Sequence, residues 1–324
     1  MSNKKTPFGT KLGFWIIFGT CWLVGLLPYW FLYYVVVGIL YFFVYMVGRY
    51  RVRVVRINLS RSFPEKTKKE LRKIERGFYR NLAEYFVDAI DLASITERQW
   101  KKRVVYLNLD AMAEEMNGSN WVDLMAHFGS WEMFGSFGFH PSVGASVAAY
   151  HPLTNKAFDM YYIKIRNAFQ GIKAVPANEL LRFYMTHLGE KVAGRPMGIT
   201  LVADQNAPVD AQSQWILFLN QPTVFFHGGE KIARKFGIPV YYMHIRKTAR
   251  GKYEVWYERL WDGVSPIEDH EITNMYAARL EADIRRCPEL WVWSHKRWKQ
   301  RPMGEELAEF NAKWGTCIPD EGIY

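Results

Sequence analysis

His127 and Glu132 are the side chains whose types and spacing can do chemistry in this sequence. Both lie in the stretch Trp121–Gly135, WVDLMAHFGSWEMFG, where a short apolar run ends abruptly in a histidine and a carboxylate follows. The run Trp121–Ala126 is preceded by the turn-prone Asn117-Gly118-Ser119-Asn120, as expected of a buried strand, so His127 stands at the strand exit. Gly129 and Ser130 supply a turn and an N-cap. Trp131 and Glu132 then fall in a first helical turn, where a carboxylate suits the macrodipole. An imidazole and a carboxylate held at such a corner make a general base with its orienting partner, which activates a hydroxyl for attack on an acyl group. The same spacing also fits a packed structural histidine and a capping glutamate.

Other chemistries have less to stand on. His140, His151, His187, His227, His244, His270 and His295 show no HExxH or paired-ligand spacing, so neither a metal nor another cofactor is expected. No Gly-rich phosphate loop and no GxSxG elbow occur, which leaves nucleotide use and serine hydrolase chemistry without a motif. Cys21, Cys287 and Cys317 are widely separated and form no disulfide framework or metal spacing.

The elements that must position the pair begin with a membrane segment. From Leu12 to Gly48 there is no Asp, Glu, Lys, Arg or His, and Trp, Phe, Tyr, Leu, Val and Ile dominate around a single interruption at Pro28. A stretch of about 20 apolar residues crosses a bilayer, so this one suffices for one generous span or a hairpin broken at Pro28. It is too long, and lacks the cleavage pattern, for a secretory signal. Arg49, Arg51, Arg53, Arg56 and Arg61 follow at once, and the positive-inside rule puts them, with the rest of the chain, on the cytoplasmic side. The net charge of +10, from 42 Lys+Arg against 32 Asp+Glu, points to an anionic surface or partner. Next to a membrane segment, anionic lipid explains it better than nucleic acid.

Beyond the basic stretch, Glu65–Arg80 has apolar residues at helical spacing and continues through Leu92 as an amphipathic helix. Val104–Leu109 reads as a strand and Asp110–Met116 as a helix, leading into the His127 strand. Val143–Tyr150 is a further strand, Asn155–Phe169 a basic amphipathic helix and Leu180–Leu188 another helix. Met197–Ala203 is a strand ending in Asp204-Gln205-Asn206, and polar residues at such an end commonly line the site of an open α/β sheet. Thr223–Phe236 reads as a helix, Val240–Arg246 and Tyr253–Leu260 as strands, and Glu271–Arg286 as a helix stopped before Pro288. The expected fold is an α/β layered sandwich, a central mostly parallel or mixed sheet flanked by helices, plus an N-terminal membrane-embedded helical segment. Residues 1–60 form the anchor and juxtamembrane stretch, and 61–324 the cytosolic domain.

Several stretches together resemble the bacterial lipid A biosynthesis acyltransferase family, the late lauroyl and myristoyl transferases that act on Kdo-lipid IVA. The resemblance rests on the apolar anchor followed by RVRVVRINLSRSFPE, the block His127-Phe-Gly-Ser-Trp-Glu132, Tyr150-His-Pro-Leu-Thr-Asn155 leading to Arg166, Ala203–Asn206, and CPELWVWSHKRWKQRP at Cys287–Pro302. By that resemblance His127 and Glu132 are the catalytic dyad, and Arg166 and Asp204 bind substrate. Arg166 would hold an anionic group of the acceptor or the thioester oxyanion, and Asp204 would position Arg166 or an acceptor hydroxyl or cap a turn. This chain departs from the family at His151, where a Tyr-Arg-Pro arginine is usual, at Asn206, and at Leu217-Phe218-Leu219-Asn220 in place of a Phe-Phe-Gly segment.

The reaction so implied moves a fatty acyl group from acyl carrier protein to a hydroxyl of a lipid A precursor at the bacterial inner membrane, without a covalent acyl-enzyme. The same dyad also serves an acyltransferase for a glycerophospholipid or aminolipid acceptor. A membrane-tethered lipid-binding protein with a structural His/Glu pair is the reading outside enzymes. The cluster His295–Arg301 reads either as a contact for lipid phosphates or acidic carrier protein or as an exposed charged tail, and Trp291, Trp293 and Trp298 as packing.

Overall fold

The computed structural model describes residues 7–134, 143, 145–167, 172–187, 196–209 and 213–316; the expectations on His140 and Cys317 lie outside them. The apolar N-terminus is helical in two pieces separated at Pro28. Helix α1 (Phe8–Gly25) is long and apolar enough to cross a membrane, and only Phe14 on it is buried. Helix α2 (Phe31–Val47) begins and ends in π-helical turns and meets α3 (Val52–Ser62) at an 88° bend. Trp15, Ile16 and Leu23 of α1 and Phe42 and Phe43 of α2 are exposed, an apolar surface consistent with a membrane segment.

Helix α3 replaces what reads in sequence as a basic connector. Its arginines face outward, while Val52, Val55 and Leu59 enter the main core. Asn58 donates to the carbonyls of Trp293 at 2.8 Å and His295 at 2.9 Å, tying this helix to the C-terminal motif. Thr67 then forms a capping box with Glu70 and starts α4 (Lys68–Asp91), which runs as one helix through the stretch expected to be amphipathic.

After α5 (Glu97–Lys101), β1 (Val104–Tyr106), α6 (Leu109–Met116) and β2 (Trp121–Met125), the order continues with β3 (Ala145–Tyr150), α7 (Lys156–Arg166), β4 (Ile172–Pro176), α8 (Leu180–His187), β5 (Met197–Val202), β6 (Trp215–Phe218), β7 (Gln221–Val224), α9 (Gly228–Phe236), β8 (Val240–Ala249), β9 (Lys252–Trp261), α10 (Glu271–Arg286) and α11 (Gly304–Trp314). Seven strands form one sheet in the order β1-β9-β8-β2-β5-β3-β4, parallel throughout except for the antiparallel β8–β9 pair. The α/β sandwich with a mixed, mostly parallel sheet is therefore as expected.

Two local expectations are corrected. Thr223–Phe236 is not one helix: Gln221–Val224 pairs with Trp215–Phe218 as an antiparallel ribbon, and α9 starts only at Gly228. The ribbon turns through Leu219 and Asn220, both at positive φ. The short apolar run Thr223–Phe226 carries no period that separates strand from helix, and tertiary pairing decides it. The strand expected over Val104–Leu109 stops at Tyr106, because Asn108 turns its side chain onto the backbone of Tyr257. Helices α5 and α11 and strands β4 and β6 are additional to the elements read from sequence.

Candidate active site

Parallel pairing of β2 with β5 builds the site. The register sets Met125 opposite Val202, and the Ala203 amide donates to the Met125 carbonyl at 3.1 Å. The two strands therefore end level, and two residues beyond their ends stand His127 on one and Asp204 on the other. Asp204 Oδ1 accepts the backbone N–H of His127 at 3.1 Å and lies 2.7 Å from its Nδ1. Trp291 donates its indole N–H to the other oxygen, Oδ2, at 2.8 Å. Phe128, next along, bridges to Trp291 itself, and the Gly129 amide donates to the Leu290 carbonyl at 2.9 Å. The C-terminal motif thus closes over the exit of β2 and clamps both members of the pair.

Asp204 is fully buried. Burial alone pushes its carboxyl up, but the attraction of the His127 ring and the hydrogen bonds from His127 and Trp291 outweigh it, leaving the carboxyl below its usual value. A carboxylate on Nδ1 fixes the tautomer, with the proton on Nδ1 and the lone pair on Nε2. Nε2 lies 3.2 Å from the side-chain amide nitrogen of Gln205, which donates to it. The imidazole is partly exposed, and the Trp131 ring meets it edge to face at 4.9 Å.

Glu132 is elsewhere. Gly129 at φ +61 turns the chain into the 3₁₀ turn 131–134, and Glu132 points to the end of α7. There Arg166 grips it with both prongs, Nε to Oε2 at 2.8 Å and a terminal nitrogen to Oε1 at 2.5 Å. The guanidinium also lies over the rings of Tyr162 and Tyr150, at 5.4 and 5.9 Å. Burial disfavours its charge, yet Glu132 more than restores it and the pKa is raised. The four residues read from sequence are thus brought to one site but partnered differently: His127 with Asp204, and Glu132 with Arg166.

Between the two pairs opens a cavity of about 1010 Å³ whose lining includes His127, Glu132, Arg166 and Gln205 together with Met125, Phe134 and Met243. Its size and apolar walls suit a hydrocarbon chain. His295 reaches it from the C-terminal motif and is kept neutral, mainly by burial, with its pKa down to about 4. The neighbouring cluster is not an exposed tail throughout: Arg297 is buried and donates to the Val224 carbonyl at 2.7 Å. Trp291, Trp293 and Trp298 are buried as expected of packing residues. Gln205 lies in the polar strand end that the sequence marks as site-lining, whereas the indole of Trp291, read there as packing, is the member of the site that sequence reasoning missed. Among the described residues, no three of His, Cys, Asp and Glu converge to hold a metal.

The open, mostly parallel α/β sheet thus carries a carboxylate-held imidazole at its strand ends, and that imidazole lines a largely apolar cavity. The chain belongs to the family of bacterial lipid A biosynthesis acyltransferases, which it matches over residues 3–300. Family membership makes it an acyltransferase of lipid A biosynthesis, acting on an acyl donor and a lipid A precursor. No curated relative matches the chain.

Proposed function

We propose that the chain transfers a fatty acyl group from acyl carrier protein to a hydroxyl of a Kdo-lipid IVA type precursor, with His127 as general base. The 2.7 Å contact of buried Asp204 with Nδ1 of His127, a residue that lines the cavity, carries this reading. The acceptor hydroxyl displaces the Gln205 amide from Nε2 and gives its proton to that nitrogen as its oxygen attacks the thioester carbonyl. Collapse of the tetrahedral intermediate expels the carrier thiolate, which takes the proton back from the imidazolium, so no acyl-enzyme forms. Asp204 holds the ring and stabilises its transient positive charge. Glu132 fixes the Arg166 guanidinium, which faces the negative charge developing on the carbonyl oxygen or on the acceptor.

The domain works at the cytoplasmic face of the inner membrane in this reading. Arg49, Arg53 and Arg61 are exposed beside the apolar helices, where anionic headgroups lie. Residues 1–60 then serve as anchor and 61–324 as the cytosolic domain.

Acyl transfer by the purified full-length protein, compared with His127→Ala, tests the mechanism. Collapse of transfer with folding and membrane attachment intact supports it, and unchanged transfer removes it. Mass spectrometry of lipids from cells lacking the protein tests the acceptor: a missing secondary acyl chain on lipid A supports this reading, whereas intact lipid A with altered phospholipid or aminolipid assigns another acceptor.

A further inference from the structure

The cavity that His127 lines is not walled by hydrocarbon alone. Its lining includes Asp123 from β2, Thr200 from β5 and Ser146 from β3, all three buried. Asp123 is paired opposite Thr200, and Ser146 is two residues off that level, opposite Gly198. Alternation along β2 explains the placement. Val122 and Leu124 lie against Gly229 of α9, so Asp123 faces the other side of the sheet, where the cavity runs. Buried parallel strands normally read as continuous apolar runs, and an acid in the middle of Trp-Val-Asp-Leu-Met breaks that pattern.

The hydrogen bonds in this trio run one way. Thr200 donates its hydroxyl to Asp123 Oδ2 at 3.2 Å. With that hydrogen used, Ser146 supplies the one in its 2.7 Å contact with Thr200. Asp123 Oδ1 is left with no partner among the described residues, although Asp123 is only 2% exposed. Burial holds its proton to about neutral pH, so this carboxyl is met in both forms. A group that pairs with Oδ1 must donate to the carboxylate and accept from the protonated acid. An alcohol does both; a second carboxylate or a phosphate is repelled by the ionised form, and a methyl group leaves the oxygen unpaired.

We propose that Asp123, Thr200 and Ser146 form a subsite for a hydroxyl group carried on the acyl chain, far from the carbonyl that is transferred. This rests on the cavity being the acyl-binding site. Four residues of strand between His127 and Asp123 span roughly 13 Å. With carbon–carbon bonds of about 1.5 Å, an extended chain covers that in roughly ten carbons. The subsite therefore selects the distal part of a medium-length hydroxyacyl chain over its plain counterpart.

The test compares dodecanoyl and ω-hydroxydodecanoyl groups on the full-length protein in micelles, both as non-transferable thioether analogues in a binding assay and as carrier-protein thioesters in a transfer competition. The expected result is a preference of about tenfold or more for the hydroxylated chain, as for a site with a buried group left unpaired by the wrong ligand. Asp123→Leu should reverse that preference. Thr200→Val, nearly isosteric and safe if the first variant fails to fold, should reduce it. Equal binding of the two chains by the wild type, or an unchanged preference in Thr200→Val, overturns the subsite. Rapid transfer of the plain chain without any preference leaves the acyltransfer reading standing while the subsite falls. A hydroxyl preference in binding with no transfer of either chain supports the subsite and removes the reading.

Discussion

Asp204 Oδ1 accepts both the backbone N–H and the ring Nδ1 of His127, two hydrogen bonds between residues 77 apart in sequence. One atom thus fixes where the strand ends and how the imidazole is turned. The second oxygen is held by Trp291, so the carboxylate has no freedom to follow a moving ring. Orientation is built in where the two neighbouring central strands β2 and β5 end.

Asp204→Asn should therefore lower transfer on the order of 10³-fold with little change in KM. An amide presents an oxygen on one side only. Either the Trp291 indole or the His127 ring then faces an N–H instead of an acceptor. Trp291→Phe alone should cost about tenfold, and combined with Asp204→Asn the losses should be far from additive, because the second change removes the competing donor. Steady-state kinetics of the two single variants and the double variant check this.

The ion pair of Glu132 and Arg166 gives a different signature. Glu132→Gln leaves a largely buried guanidinium without its counter-charge, which should destabilise the fold by about 2 kcal/mol after discounting the partial exposure of Arg166. Glu132→Gln with Arg166→Met should recover most of that stability in denaturant titration while transfer stays low. Recovery of transfer in the double variant would show the pair to be scaffolding alone.

The sequence carried the α/β class and most of the strands, and it singled out the four residues that the fold brings together, but not who meets whom. His127 and Glu132 are neighbours along the chain, and proximity in sequence favoured pairing them. The contact with Asp204 depends on β2 and β5 lying side by side although β3 and β4 come between them in sequence, and strand order is a tertiary property that no linear pattern reports. Asp123 was legible in principle: an acid inside an apolar run is the mark of a buried polar site. The helix expected over Thr223–Phe236 failed for a local reason, since β-branched and aromatic residues in a short run suit a strand as well as a helix.

Gly129 sits at φ +61, and an added Cβ would lie 3.3 Å from the ring of Tyr253. Gly129→Ala should cost about 1–2 kcal/mol from the left-handed backbone alone, and it displaces the turn that carries Trp131 and Glu132. Reduced transfer should accompany the lower melting temperature. A loss of stability with full activity would mean that the turn position is not critical.

Asp123 sets a pH dependence of stability. Burial in the sheet raises its carboxyl from 3.8 to about 7, partly offset by the hydrogen bond from Thr200. The folded protein then holds this proton more tightly than the unfolded chain does, so the associated stability is fully present below the ordinary carboxylate range and is lost as pH rises through about 7. Asp123→Asn keeps the shape and removes the titration. Between about pH 5 and about pH 8 the wild type should lose more melting temperature than the asparagine variant. Parallel curves would place the charge of Asp123 in contact with water or with a donor in the folded state, and would remove the open acceptor on which the hydroxyl subsite depends.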